Sequence, residues 1–157
     1  MDALALIDRY GLQAHPEGGW YREMHRSSGT VIRADQQQRS ACTTILFLLQ
    51  RGEISRWHRV SQADESWHFH AGEPLELLVL PPLGGPVRRL LLGVPHADST
   101  LEPLAVVPAD CWQAARSLGS FSLVSCSVAP GFTFADFTLM RDLPRSSMPS
   151  GVIAELL

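Results

Sequence analysis

The sequence predicts an all-β barrel preceded by one short helix, and three observations carry that expectation. Short apolar segments recur at roughly 8–12-residue spacing, the cadence of a sandwich or barrel. Glycine, proline or polar residues break the chain between them, at Arg51-Gly52, Ala71-Gly72, Pro81-Pro82, Gly84-Gly85-Pro86 and Pro130-Gly131. A helical period occurs once, at the N-terminus.

That helix is expected over about residues 2–11: Asp2 caps it, Leu4, Ile7 and Tyr10 fall along one face, and Gly11 stops it. After His15-Pro16-Glu17-Gly18-Gly19 the chain turns extended, with Trp20, Arg22 and Met24 alternating against Tyr21, Glu23 and His25. Arg33–Ser40 reads as a polar loop. Thr43–Gln50 is apolar on both faces, as in a strand packed on two sides. Further strands are expected at Ile54–Val60, Ser66–His70, Leu75–Leu80, Val87–Leu92, Leu104–Val107, Phe121–Val128 and Phe132–Met140, with a solvated loop at Pro95–Asp98.

The 157 residues fit one domain, 1–157, with its core at about 15–141 and a C-terminal tail at about 142–157. A hydrophobic share of 45% suits a sizeable core, and 18% charged argues against disorder. A net charge of −3 leaves no basic footprint for nucleic acid. All 13 basic residues are arginine, so the absent lysine excludes Schiff-base chemistry and a Walker phosphate loop. Asparagine is also absent, which removes a Cys-His-Asn triad. Cys42, Cys111 and Cys126 are odd in number and form no CxxC, as suits a reducing cytosol. With no signal-like start and no apolar run near ~18 residues, a cytoplasmic protein with no membrane contact is expected.

One stretch carries chemistry. Gly52, His58, Val60, Glu65 and Gly72 keep the spacing of the first motif of the cupin superfamily, with Val60 where a second histidine is usual. Pro108-Ala109-Asp110-Cys111-Trp112-Gln113 resembles the second motif, with Gln113 in place of the last ligand histidine. Three further segments sharpen the likeness: His15 to Glu23, Asp64 to Gly72, and Val128 to Phe132. Together they resemble the cupin-five family over about residues 3 to 141. The resemblance implies a double-stranded β-helix (jelly-roll) barrel, usually a homodimer, and implies little about activity.

Strand alternation in that register sets Arg56 with His58 on one face, and Glu65 with Trp67 and Phe69 on another. Two adjacent strands then aim a guanidinium, an imidazole and a carboxylate into one cavity, and Gln113 approaches from the opposite sheet. Such a mostly apolar pocket with a few convergent polar groups suits a small molecule. Arg56 is the expected anchor for an anionic ligand of sugar-nucleotide or nucleotide type, with Trp67, Phe69 and Gln113 as further contacts. His58 beside Glu65 is expected to have a raised pKa, and Tyr21 is a second acid. Histidine-plus-tyrosine work in such a barrel resembles deoxysugar 3,5-epimerases, so a metal-free epimerase or isomerase using His58, Glu65 and Tyr21 is the alternative to simple binding. A metal-dependent oxygenase is the weaker one. No cofactor is expected; a divalent metal, if held, would sit on His58, Glu65 and Gln113, a reduced ligand set. His68 and His70 are expected behind the strand. Trp20, Trp57 and Trp112 are expected to pack in the core or at a dimer interface. The doubly apolar Thr43–Gln50 strand predicts a homodimer, because one barrel wall needs only one apolar face.

Overall fold

The computed structural model describes residues 2–96 and 99–157; Ala97 and Asp98 of the Pro95–Asp98 loop lie outside the described residues. Helix α1 (Ala3–Tyr10) starts where the Asp2 carboxylate accepts the Ala5 amide at 2.8 Å. It ends at Gly11, whose left-handed φ of 59° closes the last turn.

The strands follow as β1 (Gln13–Ala14), β2 (Trp20–Arg26), β3 (Thr30–Ile32), β4 (Gln38–Ser40), β5 (Thr43–Gln50), β6 (Ile54–Val60) and β7 (Asp64–Gly72). Then come β8 (Leu75–Leu80), β9 (Arg88–Leu92), β10 (Leu104–Val107), β11 (Trp112–Ser117), β12 (Phe121–Ala129) and β13 (Phe137–Leu139). One sheet runs β1-β2-β5-β12-β7-β10 and the other β13-β6-β11-β8-β9, with β3–β4 as a separate hairpin. Consecutive strands β6 and β7 fall in different sheets. That interleaving is the double-stranded β-helix, and it places His58 and Glu65 on opposite walls rather than on adjacent strands.

Three layers of packing hold it together. Between the sheets, Phe47, Leu49, Trp67, Leu77, Val79 and Val124 fill part of the barrel. Outside the second sheet, Trp57, Leu78, Leu80 and Trp112 are covered by Met140, Met148, Ile153 and Leu156. The Trp57 indole N–H donates to the Ile153 carbonyl at 3.1 Å, so the C-terminal segment is a wall of the core and not a loose tail. Outside the first sheet, α1 lays Leu6 on Leu48 and Leu123 with Leu12 beside it. This last contact corrects the reason given for a dimer: the second apolar face of β5 is covered by the chain's own helix.

Other sequence expectations change for tertiary reasons. Arg33–Ser40 is not merely a loop: it carries β4, and its Arg33 and Arg39 both clasp Asp136 from across the chain, at 2.9 and 2.7 Å. Trp112–Ser117 is a central strand, paired with both β6 and β8. Phe132–Met140 is strand only at β13, because residues 134–136 coil into a 3-10 turn that presents Asp136 to those arginines. Among the described residues, no helix is long and apolar enough to cross a membrane.

Candidate functional site

Beside the inter-sheet core lies a cavity of about 760 Å³, within the size range of small-molecule sites. Its polar wall is built by His15, Glu17, Tyr21, His58 and Glu65, and Phe132, Phe134 and Phe137 form an apolar one.

Two irregularities decide which side chains reach it. In β6, His58 opposes Gln113 and Ser55 opposes Ala115, so Arg56 and Trp57 together face the single residue Ala114. The extra residue is a β-bulge, which breaks strict alternation. Ser55 takes the inward position, Trp57 turns to the outer core, and Arg56 is displaced from the cavity. Its guanidinium Nη1 donates to the Glu17 carbonyl at 3.3 Å, so Arg56 braces the 15–19 turn and is not among the cavity's lining residues. In β2, Glu23 opposes Ile45 while His25 opposes Thr44 and Arg26 opposes Thr43. Met24 is the extra residue there, so Arg26 joins Tyr21 and Glu23 at the cavity and His25 does not.

The His15–Gly19 turn delivers the residue that sequence reasoning left unassigned. Gly18 has φ of 108°, and a Cβ there would lie 2.0 Å from the Ile54 carbonyl oxygen. Only glycine lets the turn press flush on β6. The Arg56 amide then donates to the Glu17 carbonyl at 2.8 Å, and the Glu17 side chain is driven inward, 5% exposed. Glu17 and His15 were legible only as a carboxylate and an imidazole beside Pro16 and a double glycine. Nothing in their spacing connects them to His58, about forty residues on.

His58 is therefore paired with Glu17, Nε2 to Oε2 at 3.1 Å, and among the described residues it makes no ion-pair contact with Glu65. His58 Nδ1 lies 2.7 Å from the Arg56 carbonyl oxygen, which can only accept, so the imidazole proton sits on Nδ1. Nε2 faces Glu17 Oε2 at 3.1 Å, and burial favours the uncharged form of each partner. Complete burial pushes Glu17 up to about 8 against the opposing Ser55 hydroxyl, which donates to Oε1 at 2.8 Å. Burial also lowers His58, although the charge of Glu65 and the Arg56 carbonyl pull the other way. The expected raised imidazole is thus corrected: desolvation exceeds the pairing. His15 falls to about 3 through burial and the neighbouring His58, and its Nδ1 accepts the Glu17 amide at 3.2 Å.

Glu65 faces this group from β7. Burial raises it to about 7, with Glu17 adding to the rise and His58, Gln113 and Cys126 opposing it. The Gln113 amide donates to Glu65 Oε2 at 2.5 Å, while its carbonyl accepts the Trp67 indole N–H at 2.8 Å. Gln113 stands beside His58 in one sheet and reaches across to Glu65 in the other, and it orients Glu65 rather than lining the cavity. Trp67 is buried in the core, and Phe69 packs against that same core. Neither lines the cavity, because the core fills that part of the barrel. Tyr21 does line it, edge-on to His15 with ring centroids 4.4 Å apart. His68 and His70 lie outside it, His70 exposed and 2.8 Å from the Ser125 hydroxyl.

The ligand set suggested for a metal does not fit a metal ion. Val60 offers methyl groups, and both ends of the Gln113 amide are already used. His58 Nε2 is taken by Glu17. Among the described residues, no three His, Cys, Asp or Glu side chains are grouped to hold one.

Barrel, motif positions and cavity together define a cupin. The profile of the family described as "Cupin superfamily (DUF985)" matches residues 4–140, and the chain belongs to that family. A hypothetical protein from Leishmania major is 34% identical with a TM-score of 0.80, over 88% of this chain and 86% of that one. A protein from Shewanella oneidensis is 38% identical with a TM-score of 0.79, over 88% and 84%. The capsular polysaccharide assembling protein CapF from Staphylococcus aureus shares the fold alone, at 11% identity and a TM-score of 0.60, over 82% of this chain and 33% of CapF. No curated protein sequence matches the chain.

Proposed function

We propose that this cupin binds a small molecule carrying an anionic group at one end and hydroxyl or carbonyl oxygens at the other. The cavity carries the reading: about 760 Å³, with aromatic rings on one side and polar groups converging on the other. With Arg56 displaced, the cation available to the ligand is Arg22, a lining residue whose guanidinium donates to the Tyr10 carbonyl at 2.9 Å. Among the described residues Arg22 has no carboxylate partner, whereas Arg26 is held bidentately by Glu23 at 2.9 and 2.8 Å. The oxygen-bearing end meets Glu17 and Glu65. Titration calorimetry with phosphorylated and unphosphorylated three- to six-carbon hydroxy-carbonyl compounds tests this. Binding of phosphorylated members, weakened about tenfold or more by Arg22→Ala, is the expected result. Equal affinity for neutral and anionic members, or no binding by any, would overturn it.

A further inference from the structure

The two carboxyls at the cavity are held differently, and neither has a cation beside it. Glu17 is held between the Ser55 hydroxyl, which donates to Oε1, and His58 Nε2, which faces Oε2. Glu65 stands on the facing sheet, its Oε2 held by the Gln113 amide. Among the described residues, neither carboxylate is paired with an arginine. Other buried or half-buried carboxylates of this chain are: Asp136 has Arg33 and Arg39, and Glu76 has Arg89 and Arg116. Leaving two carboxyls uncompensated in one cavity destabilises the fold, and such an arrangement marks acid–base work.

We infer that the cavity is a proton-transfer site in which Glu65 is the base and Glu17, backed by His58, is the acid, acting on a hydroxy-carbonyl ligand. This rests on the binding reading above. In the step, the C–H bond next to the ligand carbonyl breaks and its proton goes to the Glu65 carboxylate. The electron pair left on carbon forms a C=C bond, the carbonyl π pair moves to oxygen, and that oxygen takes the Glu17 proton. The product is an enediol, and no oxidant or reductant enters. Return of a proton to the adjacent carbon isomerises the ligand; return to the same carbon regenerates it, with a solvent proton in place of the original. His58 is a positioning residue here: its Nδ1–H is fixed on the Arg56 carbonyl, so its Nε2 stands against Glu17 Oε2 and sets the orientation of that carboxyl. The other titratable or charged groups facing the pair are His15, Tyr21 and Cys126, with Glu23, Arg22 and Arg26 farther along the lining.

The test is proton exchange in D2O, with dihydroxyacetone phosphate and D-ribulose 5-phosphate as probes, read by loss of the α C–H proton resonance. Exchange well above the buffer rate is expected from the wild type, reduced about 100-fold or more in Glu65→Gln and in Glu17→Gln. His70→Ala, on the outer face, retains it. Calorimetry with the same probes on every variant reports whether the barrel is folded and loaded. Binding of either probe without exchange by the wild type overturns the proton-transfer inference and leaves the binding proposal standing. Absence of binding by both probes removes the two together. Exchange that survives both glutamine substitutions overturns the assignment to these carboxyls.

Discussion

Replacing Glu17 with glutamine should make the protein more stable at neutral pH while impairing the site. Folding raises this carboxyl from 4.5 to about 8, so the folded state holds a proton that the unfolded chain releases. The unfolded state therefore binds fewer protons between those two values, and stability attributable to Glu17 falls as pH rises through that window. Each tenfold difference in proton affinity is worth about 1.4 kcal/mol, so at pH 7 the penalty is on the order of 3 kcal/mol. Glutamine abolishes the titration and keeps the shape: its carbonyl accepts from Ser55 and its amide donates to His58 Nε2. Urea unfolding at pH 5, 6, 7 and 8 measures the effect as the difference between Glu17→Gln and wild type. That difference removes most of the background from His15 and His58, whose lowered values make stability rise with pH up to about 6.5, and from Glu65, which acts like Glu17 up to about 7. The expected difference is small at pH 5 and widens to about 3 kcal/mol in favour of the variant by pH 7. A variant less stable than wild type at pH 8, or a difference that does not change with pH, would refute the claim that Glu17 is a buried neutral acid.

Asp136→Ala removes the carboxylate shared by Arg33 and Arg39; Arg33 keeps Asp35, while Arg39 loses its carboxylate, so a loss of about 1–3 kcal/mol in urea unfolding is expected, and no loss contradicts the clasp. Gln113→Leu takes away the donor to Glu65, so the Glu65 carboxyl should titrate higher still in ¹³C NMR; an unchanged or lowered value counts against the bond. Leu48→Ala opens a cavity beneath α1 and should cost about 2–5 kcal/mol. If thermal unfolding shows no change, the helix does not cover β5 as described. Gly18→Ala forces a Cβ into the Ile54 carbonyl and should push the Glu17 turn off β6, visible as displaced backbone resonances for residues 15–19 and 54–58. Unmoved resonances would show that the turn has room.

The barrel was legible in the sequence because its evidence is local. Turn residues and two-residue alternation mark Thr43–Gln50, Leu75–Leu80 and Phe121–Val128 as strands whatever they pair with, and Asp2 and Gly11 bracket α1 by capping chemistry alone. His58, Glu65 and Tyr21 could be picked out for the same reason: each stands on a strand whose facing follows from its neighbours. The bulges could not be read that way. An extra residue in β6 exists only relative to Gln113 and Ala115 on the partner strand, and it moved Arg56 out of the cavity and turned Ser55 onto Glu17. Tertiary structure alone brought Glu17 to His58, because a contact between a turn and a strand about forty residues apart leaves no period in either. It also decided the protonation of the site. Burial, which no single residue carries in its own name, lowers His58 and raises Glu17, so the pairing that the fold builds is not the expected ion pair of His58 and Glu65.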